Sequence, residues 1–505
     1  MNQIKAGAVL NYVIIALNTI TGLLYTPFML RCLGQNEYGL YSLVASIIAY
    51  LTILDFGFGN AIIRYTAKFR AEGKVQEQWE MFGMFVVIYS IIGLIAFICG
   101  LGLYYNVDSL FDQTMTAEDL SKARTMMLLL SVNLAFTFPF TIFSSIISAY
   151  ENFVFQRLLN IIRIVLSTIV MVCLLSAGYK AIAMVVVQTV FNLSTLLINF
   201  IYARKKLRIK IIFAKFNLSF LKEVSIYSFW IFLNAIMDRI YWSTGQFVLG
   251  AVIGPVAVAI FSVAISLQQM YMTFSTAISS VLLPKITQMV ASNKSHKEIS
   301  DIFISTGRVQ AIIMLLILSG FIVFGSSFIS LWAGEDYHEA YYIAVIFFCA
   351  LFIPLIQNVG INILQARNQM KFRSICYVVI AGFSLLLQVI LAKLMGPIGC
   401  AIAIGGALLL GQGLVMNIYY HRVQHLDMIN FWREILKMGI VPMLIITVSL
   451  FLQQYYCIDS WCSLLIGISV YAAIYLPLFW IFSMNKYEKN IVKSPIIAIF
   501  NRYSR

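Results

Sequence analysis

Charge is the scarcest property of this sequence. Asp, Glu, Lys and Arg make up 11% of its 505 residues, against about 25% in an average soluble domain. Histidine occurs four times, and His296, His338, His421 and His425 all fall in or beside loops. No Cys/His cluster has zinc-ligand spacing, so no metal is assigned. The G-x-x-x-x-G-K-[ST] phosphate loop and the H-E-x-x-H pair are both missing, which argues against an ATP-hydrolysing chain and against a zinc protease. No stretch between apolar runs is long enough to hold a catalytic domain. A hydrolase or transferase would need its acid, base or nucleophile from within those runs. The expectation is therefore a protein that is not an enzyme, with no catalytic residues and no cofactor.

Apolar residues are what the chain has in excess. They form 61% of it, with a mean hydropathy of +0.89. A soluble core cannot hide that excess, so a soluble enzyme, a disordered chain and a disulfide-stapled secreted domain are excluded. The expected fold class is an all-α polytopic membrane protein, because runs of about 20 residues are far too long for barrel strands. Apolar runs set against charged breaks predict fourteen spans: 8–30, 40–62, 82–105, 126–147, 158–178, 181–202, 224–251, 256–283, 308–331, 341–364, 374–395, 397–420, 436–455 and 463–483. The first run has no small-residue cleavage site after it and is expected to stay as a span, not to be removed as a signal peptide.

The net charge of +14 is a topology signal, not a nucleic-acid signal. Of 35 Lys and Arg, five (Arg31, Lys122, Arg124, Lys180, Lys393) fall in the loops of one side. Arg239, Arg64 and Arg163 lie within spans or near span ends, which leaves 27 on the other side. The positive-inside rule then predicts both termini inside. The basic loop from Arg204 to Lys222 reads as a topology anchor and as a linker able to dock on anionic lipid headgroups. Cys99, Cys173, Cys349, Cys376 and Cys400 sit in apolar runs as small hydrophobes. Cys457 and Cys462 share one short outer loop, where an oxidising compartment would allow a disulfide.

The two halves echo each other at an offset of 220. Gly34, Ser42 and Ser46 in LGQNEYGLYSLVASI match Gly254, Ser262 and Ser266 in IGPVAVAIFSVAISL, and Ala181-Ile182-Ala183 matches Ala401-Ile402-Ala403. An even number of helices separates the copies, so both share an orientation. Parallel repeats of this kind build two lobes around a central cavity. The expected organisation is a lobe over 1–203, a basic linker over 204–222, a second six-helix lobe over 223–420, and two further helices with a basic tail over 421–505.

Three short stretches carry a family resemblance. Leu33-Gly34-x-x-Glu37-Tyr38-Gly39-x-Tyr41, then Leu54-Asp55-Phe56-Gly57-Phe58-Gly59 with Ile63-Arg64-Tyr65, then Tyr150-Glu151-Asn152-Phe153 resemble the Wzx-type polysaccharide flippases of the multidrug/oligosaccharidyl-lipid/polysaccharide exporter superfamily. The resemblance implies movement of undecaprenyl-pyrophosphate-linked glycan repeat units from the inner to the outer leaflet by alternating access, for O-antigen or capsule. Membrane lipid, a polysaccharide polymerase, glycosyltransferases and a coupling cation (H+ or Na+) are the implied partners. Nucleic acid is not among them. A cation-coupled multidrug exporter has the same architecture and stays open as an alternative, as does a membrane polysaccharide polymerase or ligase. A polymerase or ligase would need the large outer loop that is missing here.

Charges buried in a bilayer cost about 2.5–3.5 kcal/mol each on insertion scales, which makes them candidate functional groups. Asp55 and Arg64 in span two, and Asp238 and Arg239 in span seven, are the ones to place. Arg239 is the candidate for the pyrophosphate, because a planar guanidinium binds phosphate in bidentate fashion. Arg64 and Arg163 are candidates for the inner mouth, against the plainer reading that both snorkel to the surface. Asp55 and Asp238 are candidates for a coupling or counter-ion role; the plainer reading is that one of them braces Arg239. Asn18, Asn234, Trp242, Gln268 and Gln357 are candidates for sugar contacts in a wet cavity, set against ordinary interhelical hydrogen bonding.

Overall fold

In a computed structural model, which describes residues 3–213, 218–292, 294–367, 369–456, 458–490 and 493, the chain is helical from end to end. No strand occurs among the described residues. The first part runs α1 (Gln3–Leu51), a 3-10 turn (Thr52–Asp55), α2 (Phe58–Ala71), α3 (Val75–Tyr105), α4 (Val107–Phe111), α5 (Ala117–Ala149), α6 (Phe153–Ser176), α7 (Ala181–Lys205), α8 (Leu218–Trp242) and α9 (Thr244–Val252). It continues with α10 (Pro255–Ala291), α11 (His296–Trp332), α12 (Glu339–Ile356), α13 (Asn358–Ala366), α14 (Met370–Leu408), a π-helical stretch (Leu409–Val415), α15 (Met416–Arg422), α16 (Met428–Gln453) and α17 (Trp461–Phe482).

Helix occupies each of the fourteen expected places. Eleven helical stretches among the described residues are long and apolar enough to cross a membrane. Two of them, Val9–Ala71 and Met370–Arg422, have 63 and 53 residues, more than twice the length of one crossing. Each is a pair of crossings folded at a glycine: Gly34 (φ 74°) inside α1 and Gly396 (φ 62°) inside α14. Glycine alone enters that left-handed region without steric cost. Gly254, which stands 220 residues after Gly34, also has positive φ. The seventh place, α8 with α9, is not among the eleven; Asn234, Asp238 and Arg239 make it more polar. Side chains such as Leu394, Ile429, Met443 and Phe482 are at least 70% exposed, an apolar surface that suits lipid and not water. The protein is a multi-pass membrane protein.

Two compact units emerge, residues 1–262 with 385–400, and residues 263–384 with 401–505. In the first, α5 is the central helix and packs on α3, α7, α2 and α1, while α6 packs on α1 and α8 on α2. Phe82, Phe85, Tyr89 and Met126 are fully buried there. Asn192 joins α7 to α5 by donating to Asn133 Oδ1 and Thr137 Oγ1, both at 2.8 Å. In lipid such bonds glue helices that have no hydrophobic drive to associate. In the second unit, α11 packs on α16, α12 and α17 around Phe303, Phe347 and Phe431. Thr116 and Ser295 close capping boxes at the starts of α5 and α11, satisfying backbone donors that a helix leaves unpaired.

Two expectations need correction. The first two spans are not joined by an outer loop. Glu37 lies in a helix just past the Gly34 kink, buried, with its carboxylate on Lys122 Nζ at 2.5 Å and accepting from the Ala181 N–H at 3.4 Å. Nor are all spans continuous: the second is broken at 52–57, the seventh at Ser243 and the tenth at Gln357. Cys462 is exposed, while Cys457 lies outside the described residues.

Candidate functional site

The break in the second span begins with local sequence. Phe56 (φ 51°) and Gly57 (φ 73°) both adopt left-handed backbone, so the 3-10 turn ends at Asp55 and a new helix, α2, starts at Phe58. Broken helices are tolerated at membrane depth only where protein groups or a water-filled cavity satisfy the freed backbone. Asp55 lies just before the N-terminus of α2, where the helix dipole favours a carboxylate. Its Oδ1 accepts from the fully buried Tyr89 hydroxyl at 2.7 Å. Asp55 is thus held by α3.

The break in the seventh span faces this one within the same unit. Arg239 sits in the last turn of α8, where the C-terminal end of a helix favours a cation. Its carbonyl accepts from the Ser243 N–H at 2.9 Å and from the Tyr50 hydroxyl at 3.4 Å. Tyr50 also shares a short hydrogen bond with Thr244, and Phe56 packs on Phe232 at 4.7 Å between ring centroids. The half-buried guanidinium donates through Nη2 to Thr52 Oγ1 at 3.1 Å. No ion pair among the described residues includes Arg239, so the bracing pair with Asp55 is not formed. A guanidinium has five N–H donors, and one is engaged here.

A cavity of about 670 Å³ lies beside this junction, lined among others by Tyr50, Leu51, Leu103, Ile240, Thr244 and Phe247. Its lining is mostly apolar, with Arg239's immediate neighbours at one side. Such a wall can take an apolar chain.

The other candidate residues scatter. Asp238 is exposed and Asn234 half-buried on α8, four residues apart, with Trp242 half-buried one turn on. Arg64 is exposed on α2, and Asn18 is exposed on α1. Arg163 is half-buried, and α6 starts five residues earlier than the span edge expected from sequence. Ten residues at about 1.5 Å each put Arg163 some 15 Å along the helix. Gln268 and Gln357 belong to the second unit and are buried. Gln268 donates to Met272 Sδ at 2.5 Å, and Gln357 donates to Asn417 Oδ1 at 3.0 Å. These two act as internal ties of that unit.

The motif residues that carried the family resemblance are mostly framework. Gly39 lets α1 touch the start of α10: a Cβ there would lie 1.8 Å from the Pro255 carbonyl oxygen. The Tyr150 ring lies 4.1 Å under the Arg70 guanidinium and its hydroxyl accepts from Gln78 at 2.8 Å. Asn152 accepts from Tyr202 at 3.3 Å, and Glu151 takes a left-handed turn conformation. At the start of α5, Glu118 and Glu37 hold the Lys122 ammonium above the ordinary lysine range. Sequence reasoning missed Tyr50, Thr52, Tyr89 and Thr244. The tandem Phe56-Gly57-Phe58-Gly59 was the available signal for a break, and a break implies side chains nearby to satisfy it.

Comparison with known proteins agrees with this architecture. Among solved structures, a Lipid II flippase MurJ in an inward closed conformation superposes with a TM-score of 0.70 at 17% identity, over 97% of this chain and 99% of that one. A multidrug resistance MATE family transporter of the MOP superfamily, inward-facing, gives 0.61 at 12% identity over 81% and 95%. The MATE multidrug transporter DinF-BH gives 0.59 at 17% identity over 83% and 94%. At these identities the likeness establishes the fold. No curated protein matches the sequence. The family model described as polysaccharide biosynthesis protein matches residues 4–290, more than half of the chain. The chain is therefore a member of the polysaccharide biosynthesis protein family.

Proposed function

We propose that the protein is a flippase that carries undecaprenyl-pyrophosphate-linked oligosaccharide units from the inner to the outer leaflet of the bacterial cytoplasmic membrane, for O-antigen or capsule assembly. It acts as a transporter by alternating access, without covalent chemistry on the substrate. Family membership and a fold shared with a Lipid II flippase support the class. The observation that carries the chemistry is Arg239: a half-buried guanidinium at the junction of two broken helices, anchored by one hydroxyl, Thr52. A diphosphate cannot enter a low-dielectric core without compensation. Arg239 offers a bidentate edge, and Thr52 fixes its plane. Arg64 and Arg163 receive the anion on its way in from the inner side, Asn18, Asn234 and Trp242 meet the sugars, and Asp55 and Asp238 act as counter-ions or cation-coupling groups. Both termini face the cytoplasm; labelling of single cysteines at Lys206 and Gly334 from one and the same side would refute that orientation.

The test is surface glycan output per folded protein. Arg239→Lys keeps the charge and loses the fork, so partial transport is expected; Arg239→Ala should lose about tenfold to several hundredfold, the weight of one or two hydrogen bonds to a charged group. Full output from well-folded Arg239→Ala would refute the binding role. A cation-coupled multidrug exporter is the second reading, favoured by the MATE transporters that share the fold. Under that reading cation-dependent dye efflux, not glycan output, would follow Asp55→Asn and Asp238→Asn.

A further inference from the structure

A second cavity in the first unit, remote in sequence from Arg239, has a different chemistry. Its volume is about 520 Å³, within the ~300–1,000 Å³ of small-molecule sites. It lies between α2, α5, α6 and α7, beside the turn at 150–152, which the charge bias assigns to the inner side. Ser144, Ser148, Gln156, Arg157, Asn160 and Asn199 supply most of its polar lining. Gln156 is spent within the wall, donating to the Ser144 carbonyl at 2.5 Å and accepting from Ser148 Oγ at 2.7 Å. Arg157 is half-buried and makes no hydrogen bond or ion pair with a described residue. No carboxylate lines the cavity among the described residues. Asn199 is 6% exposed, and its Oδ1 is buried without a hydrogen-bond partner.

Two other cavities of this unit differ. The one beside Arg239 is apolar, and in the one at the start of α5 Lys122 is already paired with Glu37. A cation without a counter-charge asks for an anion. A buried amide oxygen without a donor asks for a hydroxyl or amine, because leaving it unmade costs its full desolvation. Arg157 is four residues into α6, about 6 Å along it, so the cavity lies near headgroup depth.

We propose that this cavity binds a phosphate ester that carries a hydroxyl group, the chemistry of a phosphoglycerol headgroup. The phosphate meets Arg157 and Asn160, and the hydroxyl donates to Asn199 Oδ1. The occupant is a phospholipid headgroup of the inner leaflet or a soluble phosphate ester with the same groups. It is separate from the anion at Arg239, and its test does not depend on transport.

Purified full-length protein in uncharged detergent would be titrated with dihexanoyl phosphatidylglycerol, dihexanoyl phosphatidylcholine, sn-glycerol 3-phosphate and inorganic phosphate, with binding read from the thermal midpoint. Phosphatidylglycerol should bind saturably and better than phosphatidylcholine, which has the phosphate and no hydroxyl. Arg157→Gln should weaken it about tenfold or more, Asn199→Leu several-fold, and Lys294→Gln, at an exposed surface position, not at all. Equal binding of sn-glycerol 3-phosphate identifies a soluble ester as sufficient; binding of phosphatidylglycerol alone identifies the lipid. If Arg157→Gln does not fold, Asn160→Asp keeps the side-chain shape and sets a carboxylate against the phosphate, so it should weaken binding at least tenfold. Unchanged affinity in Arg157→Gln or in Asn160→Asp, no preference over phosphatidylcholine, or no saturable binding would each overturn the proposal.

Discussion

Two arginines, one in each unit, divide the roles that a buried cation can take. Arg308 in the second unit is 4% exposed and spends all five N–H groups. Nε and Nη2 donate to Glu488 at 2.5 and 3.0 Å, Nη1 to the Glu434 carboxylate at 2.8 Å and its carbonyl at 3.2 Å, and Nη2 to the Ser483 carbonyl at 2.9 Å. It ties α11 to α16 and to the segment after α17. Arg239 in the first unit is half-buried, bonded through its guanidinium to Thr52, and outside every ion pair among the described residues. The first guanidinium is closed and can do nothing but hold helices together. The second keeps donors open, the condition for binding an anion that arrives and leaves. A charge at membrane depth is thus evidence of function only after its donors have been accounted for.

The largest effect is expected from Arg308→Ala. It leaves Glu488, 1% exposed, as a buried carboxylate without its partner, and about 3–5 kcal/mol of stability should go. The thermal midpoint and yield of folded protein in detergent would fall, and Arg308→Met with Glu488→Met should recover much of both. Arg308→Ala with an unchanged midpoint would remove the distinction between the two arginines.

Tyr89→Phe comes next. It strips the hydroxyl that Asp55 accepts from, at a cost of about 1–3 kcal/mol, read again as a lowered midpoint. Thr52→Val then separates stability from transport: the guanidinium of Arg239 loses its anchor, so glycan output per folded protein should drop up to about tenfold while the midpoint moves little. A large loss of stability in Thr52→Val would make Arg239 a framework residue like Arg308. The smallest effect is expected from Lys294→Ala. Its partner Glu298 is four residues away on an exposed surface, and such pairs add nothing measurable, so neither midpoint nor output should change.

Much of the fold was legible. Apolar runs located all fourteen helical places, because a bilayer demands an uninterrupted apolar stretch and leaves each crossing visible by itself. Gly34 and Gly254, matched only as letters at an offset of 220, prove to share positive φ. The site was legible in part. Arg239 and Asp55 stand out as charges in apolar runs, while Thr52, Tyr89 and Thr244 do not, being ordinary residues whose meaning comes from partners 34 to 194 positions away. Glu37 looked like a loop carboxylate because it follows Arg31 and Gly34. In the structure the loop is a kink, and Glu37 is buried against Lys122. Arg308 did not stand out at the start of its expected span, because its carboxylates lie 126 and 180 residues further on.

By itself, then, the order of amino acids determined the solvent of this protein and its secondary structure. Hydropathy is a property of each segment alone, and in lipid a backbone must satisfy its own hydrogen bonds as helix. It also determined the sharp turns at Gly34 and Gly396, since glycine reaches those angles at the least cost. Tertiary structure decided where crossings break and which arginine keeps open donors. Both depend on which side chains from other helices reach the freed carbonyls, carboxylates and guanidinium groups, and those contacts exist only once the helices have packed.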